Sequence, residues 1–328
     1  MKSRFFSTSL GSVSEIGLGC WQLGGSDWGE VSDEKAFDIL QASAEAGVTL
    51  FDTADVYGAG RSEELIGRFL KGGGANVRVI TKLGRWGDPG WPANFEPAAI
   101  RAHTEASLRR LGVGSLDLTQ LHCIPTDVLR RGEVFDTLRE LKSEGKIRGF
   151  GVSVESMEEA NICLDHSDVD SLQIIFNIFR QKPIAGLFER AQKQRVAIIV
   201  RLPLASGLLS GKFGPTTVFA ANDHRNYNRN GEAFNVGETF AGLPYDRALQ
   251  LVELVRSLVP PDLTMAQMAV RWCLDYPAVT TVIPGASSPD MAVQNAAVSG
   301  LDPLPTELHS MLAHLYESQV SGCIRGPY

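Results

Sequence analysis

The chain has 328 residues, of which 44% are hydrophobic and 21% charged, enough for a large buried core, and barrels of this size commonly form one domain. A formal net charge of −7 and the lack of a basic cluster interleaved with aromatics exclude a nucleic-acid surface, and no segment reaches the roughly 18 apolar residues of a membrane span. Five cysteines, at 20, 123, 163, 273 and 323, form no CxxC pair, which fits a reducing, cytoplasmic setting without a zinc site.

From the N-terminus, a short hairpin (residues 4–6 returning near Val13) precedes a strand over 16–19, a helix over about 33–46 and the apolar run Val48-Thr49-Leu50-Phe51. Ser62-Glu63-Glu64 predicts the next helix start, with Ser62 as N-cap and acids in the first turn. The strand Val77-Arg78-Val79-Ile80-Thr81 follows, then a helix over 97–111, the strand 116–121, a helix over 133–144, the strand 147–152 and a helix over 157–164. Strands over 172–176 and 197–202 bracket a helix over 184–194, and the eighth strand, 281–283, leads into a helix beginning at Pro289. Eight βα units in a chain of this length predict an α/β fold, a (β/α)8 TIM barrel with catalytic groups at the strand C-termini.

Three stretches exceed the minimal repeat: a Gly-, Pro- and Trp-rich loop over 84–94, a polar loop of about thirty residues over 214–244 after the seventh strand, and an extra C-terminal helix over 306–318 with a tail. All three are expected to overhang one barrel mouth. The long loop carries Asn222-Asp223-His224-Arg225-Asn226-Tyr227-Asn228-Arg229-Asn230, flanked by Phe213, Phe219, Phe234 and Phe240. A solvated, disordered loop and an aromatic-anchored lid both satisfy this composition. The run Gly72-Gly73-Gly74 lies between a helix and the next strand, at the other end of the barrel, and reads as a turn.

Asp52, Lys82 and His122 each end a strand, and Tyr57 follows five residues after Asp52. Singly, Asp52 reads equally as a cap or salt-bridge residue, Tyr57 as a rim aromatic, Lys82 as a solvated strand end and His122 as a structural histidine. Gathered at successive strand ends they point to proton transfer: a cation beside a phenol favours the phenolate and is expected to make Tyr57 more acidic. The six histidines, at 103, 122, 166, 224, 309 and 314, include no HxH and no HExxH, which argues against a metal-dependent barrel hydrolase. Pro284-Gly285-Ala286-Ser287-Ser288-Pro289-Asp290 leaves the eighth strand and opens a helix with Ser288 at the N-cap and Pro289 at N1. That turn reads as an ordinary capped helix or as an anion site. With Ser206, Gly207, Ser210 and Lys212 opposite, it falls where barrels hold phosphate. No Rossmann GxGxxG is present; Gly17-Leu18-Gly19-Cys20-Trp21-Gln22 fails at the third glycine.

The segment Phe51-Asp52-Thr53-Ala54-Asp55-Val56-Tyr57-Gly58 closely resembles the signature of the aldo-keto reductase family. The resemblance continues at Thr81-Lys82, Leu121-His122, Gly151-Val152-Ser153, the run from Pro203 to Lys212 and Val282-Ile283-Pro284-Gly285-Ala286, in order and over nearly the whole chain. It implies an NAD(P)H-dependent oxidoreductase of a small-molecule carbonyl, with Asp52, Tyr57, Lys82 and His122 as catalytic tetrad. It places the nicotinamide near Tyr57, with Trp21 lining the cavity and Ser153 and Gln173 on the carboxamide. Leu204, Ser206, Gly207, Leu208, Ser210, Lys212, Gly285 and Ser287 would hold the rest of the cofactor, with Gln294 and Asn295 at the adenine end.

Three departures stand out: Val154 where the family often has asparagine, Arg201 where many members stack a tyrosine, and Met291 where many hold the 2′-phosphate with arginine. Arg201 would stack on the ring or serve the pyrophosphate. The resemblance favours NADP, with NAD as the alternative. Trp28, Trp86, Trp91, Arg225 and Arg229 are expected around the substrate, where aromatic platforms and fixed donors suit a sugar or sugar-derived aldehyde. An alternative from the same resemblance is a cofactor-binding, redox-sensing regulatory subunit with little turnover. A homo-oligomer is compatible with the sequence.

Overall fold

The computed structural model describes residues 1–25, 27–74 and 76–328. Strands β1 (Ser3–Ser7) and β2 (Gly11–Ser14) form an antiparallel hairpin. The remaining strands are all parallel: β3 (Leu18–Gly19), β4 (Leu50–Asp52), β5 (Arg78–Leu83), β6 (Leu118–His122), β7 (Phe150–Ser153), β8 (Ser171–Ile175), β9 (Ala197–Arg201) and β10 (Val279–Val282). They pair in sequential order, and the sheet closes where Gly17 N donates to Val282 O (2.8 Å) and Gly19 N to Pro284 O (3.1 Å). A side chain at Gly19 would place its Cβ 2.8 Å from Ile283 O, so the seam closes only on glycine.

Helices alternate with the strands: α1 (Asp33–Glu45), α2 (Arg61–Lys71), α3 (Pro97–Leu111), α4 (Thr126–Arg131), α5 (Glu133–Ser143), α6 (Met157–Leu164) and α7 (Leu187–Gln194). Then come α8 (His224–Tyr227), α9 (Tyr245–Arg256), α10 (Met265–Leu274), α11 (Pro289–Ala297) and α12 (Thr306–Leu315). The (β/α)8 barrel is as expected. Helix α4, the short α8 and the pair α9 and α10 had no counterpart in the sequence reading. One helix start differs as well. Helix α2 begins at Arg61 after Gly60, and Ser62, expected as its N-cap, instead donates its hydroxyl to Cys20 O (3.0 Å) and bonds Thr53 (2.8 Å). Its hydroxyl ties the β3 end to the β4 end, and residues 55–60 form a succession of turns rather than running straight into the helix.

The interior is filled in layers, as inward residues alternate along each strand. Phe6, Leu10 and Val13 of the hairpin pack with Leu50, Ile80, Leu118, Ala197, Ile199 and Ile283, closing the end where the strands begin. Two residues further along, the same inward positions are Asp52, Lys82 and Gln120, so the polar layer lies directly above an apolar plug. No helix among the described residues is long and apolar enough to cross a membrane.

Candidate active site

Lys82 is fully buried and spends all three ammonium hydrogens. It donates to Asp52 Oδ1 (2.6 Å), to Thr53 O (2.7 Å) and to Tyr57 Oη (3.2 Å). The other Asp52 oxygen accepts from Gln173 Nε2 (2.7 Å). Trp21 stacks on Tyr57, with ring centroids 5.8 Å apart and planes at 18°. His122 stands edge-on to Tyr57 from the other side, at 6.0 Å. Asp52, Tyr57, Lys82 and His122 are thus brought together around one phenolic oxygen, as expected from their strand-end positions.

The electrostatics differ from the expectation in one respect. Burial pushes the Tyr57 phenol above its ordinary value, and the pull of Lys82 in the other direction only partly offsets this. The phenol is therefore a neutral, proton-carrying acid, not a partly ionised one. Burial opposes the charge on Lys82, yet Asp52 and Tyr57 hold its pKa above the usual lysine value. Burial likewise pushes Asp52 up, while Lys82 and Gln173 restrain it. His122 is driven well below the imidazole range by burial and by Arg85, Lys82 and Arg201, so it is a neutral ring at any physiological pH. Such a group can donate or accept one hydrogen bond without adding a charge, which suits holding a carbonyl oxygen.

These groups open on a cavity of about 940 Å³. Trp21, Trp28, Trp91, Tyr227 and Phe234 give its aromatic walls, and Asp27, Arg85, Glu155, Arg201 and Glu238 its charged ones. The polar side is a cluster absent from the sequence reading. Glu238 is buried between Arg85 Nη2 (2.9 Å) and Arg201 Nη1 (3.2 Å), and Arg85 reaches on to Glu155 (3.3 Å). Burial works against the Glu238 charge, but the two guanidiniums hold it at about 2. Arg201 therefore belongs to this cluster, donating also to Val154 O (3.4 Å), while still lining the cavity. The Cys123 sulfur, Glu155 and Glu238 lie within 4.8 Å of one another, with both carboxylates occupied by guanidiniums.

The loop over 214–244 is an ordered lid. Phe213, Phe219, Phe240 and Tyr245 pack in a chain at centroid distances of 5.2, 5.7 and 4.9 Å. Its polar residues serve the lid itself. Buried Asn228 bonds Thr239 Oγ1 (3.0 Å), Ala233 N and Phe234 N (both 2.9 Å). Asp27 clasps the lid to the β3 loop, accepting from Tyr227 Oη (2.7 Å) and Trp21 Nε1 (2.9 Å). The C-terminal tail braces the lid from behind, through Arg325 to Gly242 O (3.0 Å), and does not itself line the cavity.

Several expected contacts are not brought to the mouth. Trp86 packs against Arg110, 5.2 Å away, and Arg229 over Tyr245 (5.0 Å), so neither lines the cavity. Arg225 does line it, but its guanidinium is paired with Asp223 (2.5 Å) and lies over Trp28 and Phe219 (4.8 and 4.6 Å). Leu208 is buried in the core, and Gln294 is exposed outside the cavity. Asn295 holds Gly285 O (3.1 Å). Ser206 lines the cavity as expected, but its hydroxyl is taken up by the lid backbone, donating to Glu238 O (2.9 Å) and accepting from Phe240 N (3.1 Å).

An extended nicotinamide dinucleotide fits what remains. At the Tyr57 end Ser153 Oγ is buried with no hydrogen-bond partner among the described residues, beside Gln173 in the ladder. From Leu204 to Lys212 the chain turns through left-handed Ser206 (φ 57°) and Gly207 (φ 96°), lining the cavity with Leu204, Gly207, Ser210 and exposed Lys212. Gly285 and Ser287 face it, and Ser288 caps α11 by accepting from Met291 N (3.2 Å). The walls thus offer a polar seat at the Tyr57 end and a cation with helix-terminal amides at the other.

The sequence profile described as the aldo/keto reductase family matches residues 15–317. Aldo-keto reductase YhdN of Bacillus subtilis is 29% identical over 291 residues, covering 88% of this chain and 86% of that protein. The holo form of aldo-keto reductase AKR11C1 from Bacillus halodurans superposes with a TM-score of 0.78 at 31% identity, over 96% of each chain. The glycerol dehydrogenase AKR11B4 from Gluconobacter oxydans gives 0.76 at 28% identity, covering 97% of this chain and 95% of that one. The barrel and its site define a nicotinamide-dependent oxidoreductase. The chain belongs to the aldo/keto reductase family, and it is an NAD(P)H-dependent carbonyl reductase.

One buried acid in the signature segment has a measurable consequence. Asp55 is buried with no hydrogen bond to either carboxylate oxygen among the described residues and with only His103 Nδ1 near it, at 3.9 Å, and burial and the charge of Glu63 push it up to about 7. Because the folded value lies above the unfolded one, its ionisation opposes folding: the penalty is absent below about pH 4, grows towards pH 7 and is complete above it. Asp55→Asn is expected to gain on the parent in thermal stability as pH rises from 4 to 7, by at most roughly 4 kcal/mol, with a plateau above. A melting-temperature difference that is flat with pH would show that Asp55 does not titrate in this way.

Proposed function

We propose that this reductase converts a sugar or sugar-derived aldehyde to the alcohol, with Tyr57 as proton donor and NADP(H) as the preferred cofactor. The observation that carries the mechanism is the sharing of one buried ammonium, Lys82, between Asp52 and Tyr57. When bound, the dihydronicotinamide supplies the hydride for the carbonyl carbon. Tyr57 Oη gives its proton to the carbonyl oxygen. The phenolate left behind is stabilised by the Lys82 ammonium at 3.2 Å, which Asp52 keeps charged. Neutral His122 holds the carbonyl oxygen in line, and Trp21, stacked on Tyr57, covers one face of the phenol. Oxidation of the alcohol uses the same groups in reverse.

The preference for NADP(H) rests on Lys212 and on Ser287 and Ser288 at the start of α11, which offer a cation, hydroxyls and amides to a 2′-phosphate. Met291, at the third position of that helix, contributes no charge, so the preference is modest. The substrate class rests on the wall chemistry. Trp21, Trp28, Trp91, Tyr227 and Phe234 offer flat apolar faces for sugar C–H groups, and Asp27, Arg85 and Glu155 offer polar groups to hydroxyls. A structurally similar protein bears the name glycerol dehydrogenase, which is consistent with a polyhydroxylated ligand.

Tyr57→Phe keeps the ring and removes the proton, so turnover is expected to fall by about a hundredfold or more with cofactor affinity retained; undiminished turnover would refute Tyr57 as the donor. Met291→Arg is expected to tighten NADPH by roughly tenfold while leaving NADH nearly unchanged, because a charge-assisted pair forms with the 2′-phosphate alone. Equal shifts for the two cofactors would remove residue 291 from that seat. In a panel of aldehydes, kcat/KM for glyceraldehyde and erythrose is expected to exceed that for hexanal by about tenfold, and the reverse order would overturn the sugar assignment.

A further inference from the structure

Gln120 lies in β6 two residues before His122, on the same inward face, fully buried and in ladder register with Lys82 on one side and Gly151 on the other. Gly151 in turn pairs with Ser171. A side chain at position 151 would place its Cβ 2.2 Å from Ser171 Oγ. With glycine there, Gln120 reaches across β7 and donates from Nε2 to Ser171 Oγ (3.1 Å). Its Oε1 accepts from Gln173 Nε2 (3.0 Å), the nitrogen that also donates to Asp52 (2.7 Å). Both amide hydrogens of Gln173 are therefore committed inside the barrel. Its carbonyl oxygen has no partner among the described residues and is not shut off in the core, and Gln173 lines the cavity beside the catalytic groups.

We propose that Gln120 is a positioning residue that fixes the Gln173 amide with its oxygen towards the cavity, as an acceptor for the NH2 of the cofactor's carboxamide. This rests on the reading of Gln173 as the carboxamide's partner. A glutamine amide is nearly symmetric in shape, so its direction is set only by what each end meets. Asp52 accepts one hydrogen, and an amide held at one point still pivots about that bond. Gln120 takes the second hydrogen, and two-point attachment fixes the plane. Gln120 itself faces the right way because Ser171 holds its nitrogen. The chain Ser171, Gln120, Gln173, Asp52, Lys82 and Tyr57 links the orientation of the nicotinamide to the group that supplies the proton, entirely through buried hydrogen bonds.

The test is binding of NADP+ and of its 3-acetylpyridine analogue, which keeps the carbonyl and lacks the NH2, followed by tryptophan fluorescence in the parent and in two variants. The parent is expected to prefer the carboxamide by about tenfold in Kd, the size of one well-placed hydrogen bond. Gln120→Met keeps the volume and removes the acceptor, and the preference should fall at least about threefold, through weaker NADP+ binding with the analogue nearly unaffected. If that variant fails to fold, Ser171→Ala carries the test, since it only frees Gln120 to turn its nitrogen towards Gln173. A preference unchanged in the folded variants overturns the positioning role. A parent without any preference overturns the reading of Gln173 as the carboxamide's partner instead, and the inference with it.

Discussion

The structure is organised around one buried positive charge. An ammonium in a protein interior is costly unless it is paired and every hydrogen has an acceptor. Lys82 meets that condition with a carboxylate, a backbone carbonyl and a phenol, each supplied by the segment from Asp52 to Tyr57. The condition explains why the segment forms turns after β4 instead of entering α2 directly, and why Ser62 and Thr53 are tied to the β3 end. Losing one partner would leave either a buried charge or a buried acid without compensation. The phenol is the one partner that can change protonation without breaking the set, since its anion is a better acceptor than its neutral form.

Around that centre the loops divide the labour. Most of the lid's amides and guanidiniums serve its own turns and the C-terminal tail, and the Arg225 guanidinium that lines the cavity is paired with Asp223. Beside Arg225 it presents Phe234, Tyr227, Asn235 and the carboxylate of Glu238. Glu238 joins the lid to Arg85 after β5 and Arg201 at the end of β9, and Asp27 joins it to the β3 loop. Two buried guanidiniums and two carboxylates leave the wall near neutral in net charge but dense in donors and acceptors.

Legibility varied with the kind of contact. Asp52, Lys82 and His122 were readable because each ends an apolar run, and parallel strands in a barrel bring their ends together whatever the side chains are. Pro97 and Ser288 mark helix starts that follow from local chemistry: a proline at N1 or a side-chain cap. Ser62 carries the same local signal and misleads, because it lies inside the first turn after Gly60, where its oxygen accepts from Thr53 Oγ1 rather than from a helix amide and its hydrogen goes to Cys20 O. Trp86 and Arg229 sit in the correct loops, yet Arg110 and Tyr245 take their side chains away from the mouth. The Glu238 cluster and Gln120 had no local signal at all, since their partners lie in strands and loops far away in the chain.

The sequence by itself determined the repeating pattern of strands and helices, hence the barrel, and the strand-end positions at which Asp52, Lys82 and His122 come together beside Tyr57. These depend on periodicity and on strand termini, which are properties of short segments. Only the tertiary structure decided the Tyr57 acidity, which burial raises against the pull of Lys82. It also decided which loop residues face the cavity and which way the Gln173 amide points. Burial, rotamer direction and hydrogen-bond competition are set by neighbours distant in the chain, so no short segment contains them.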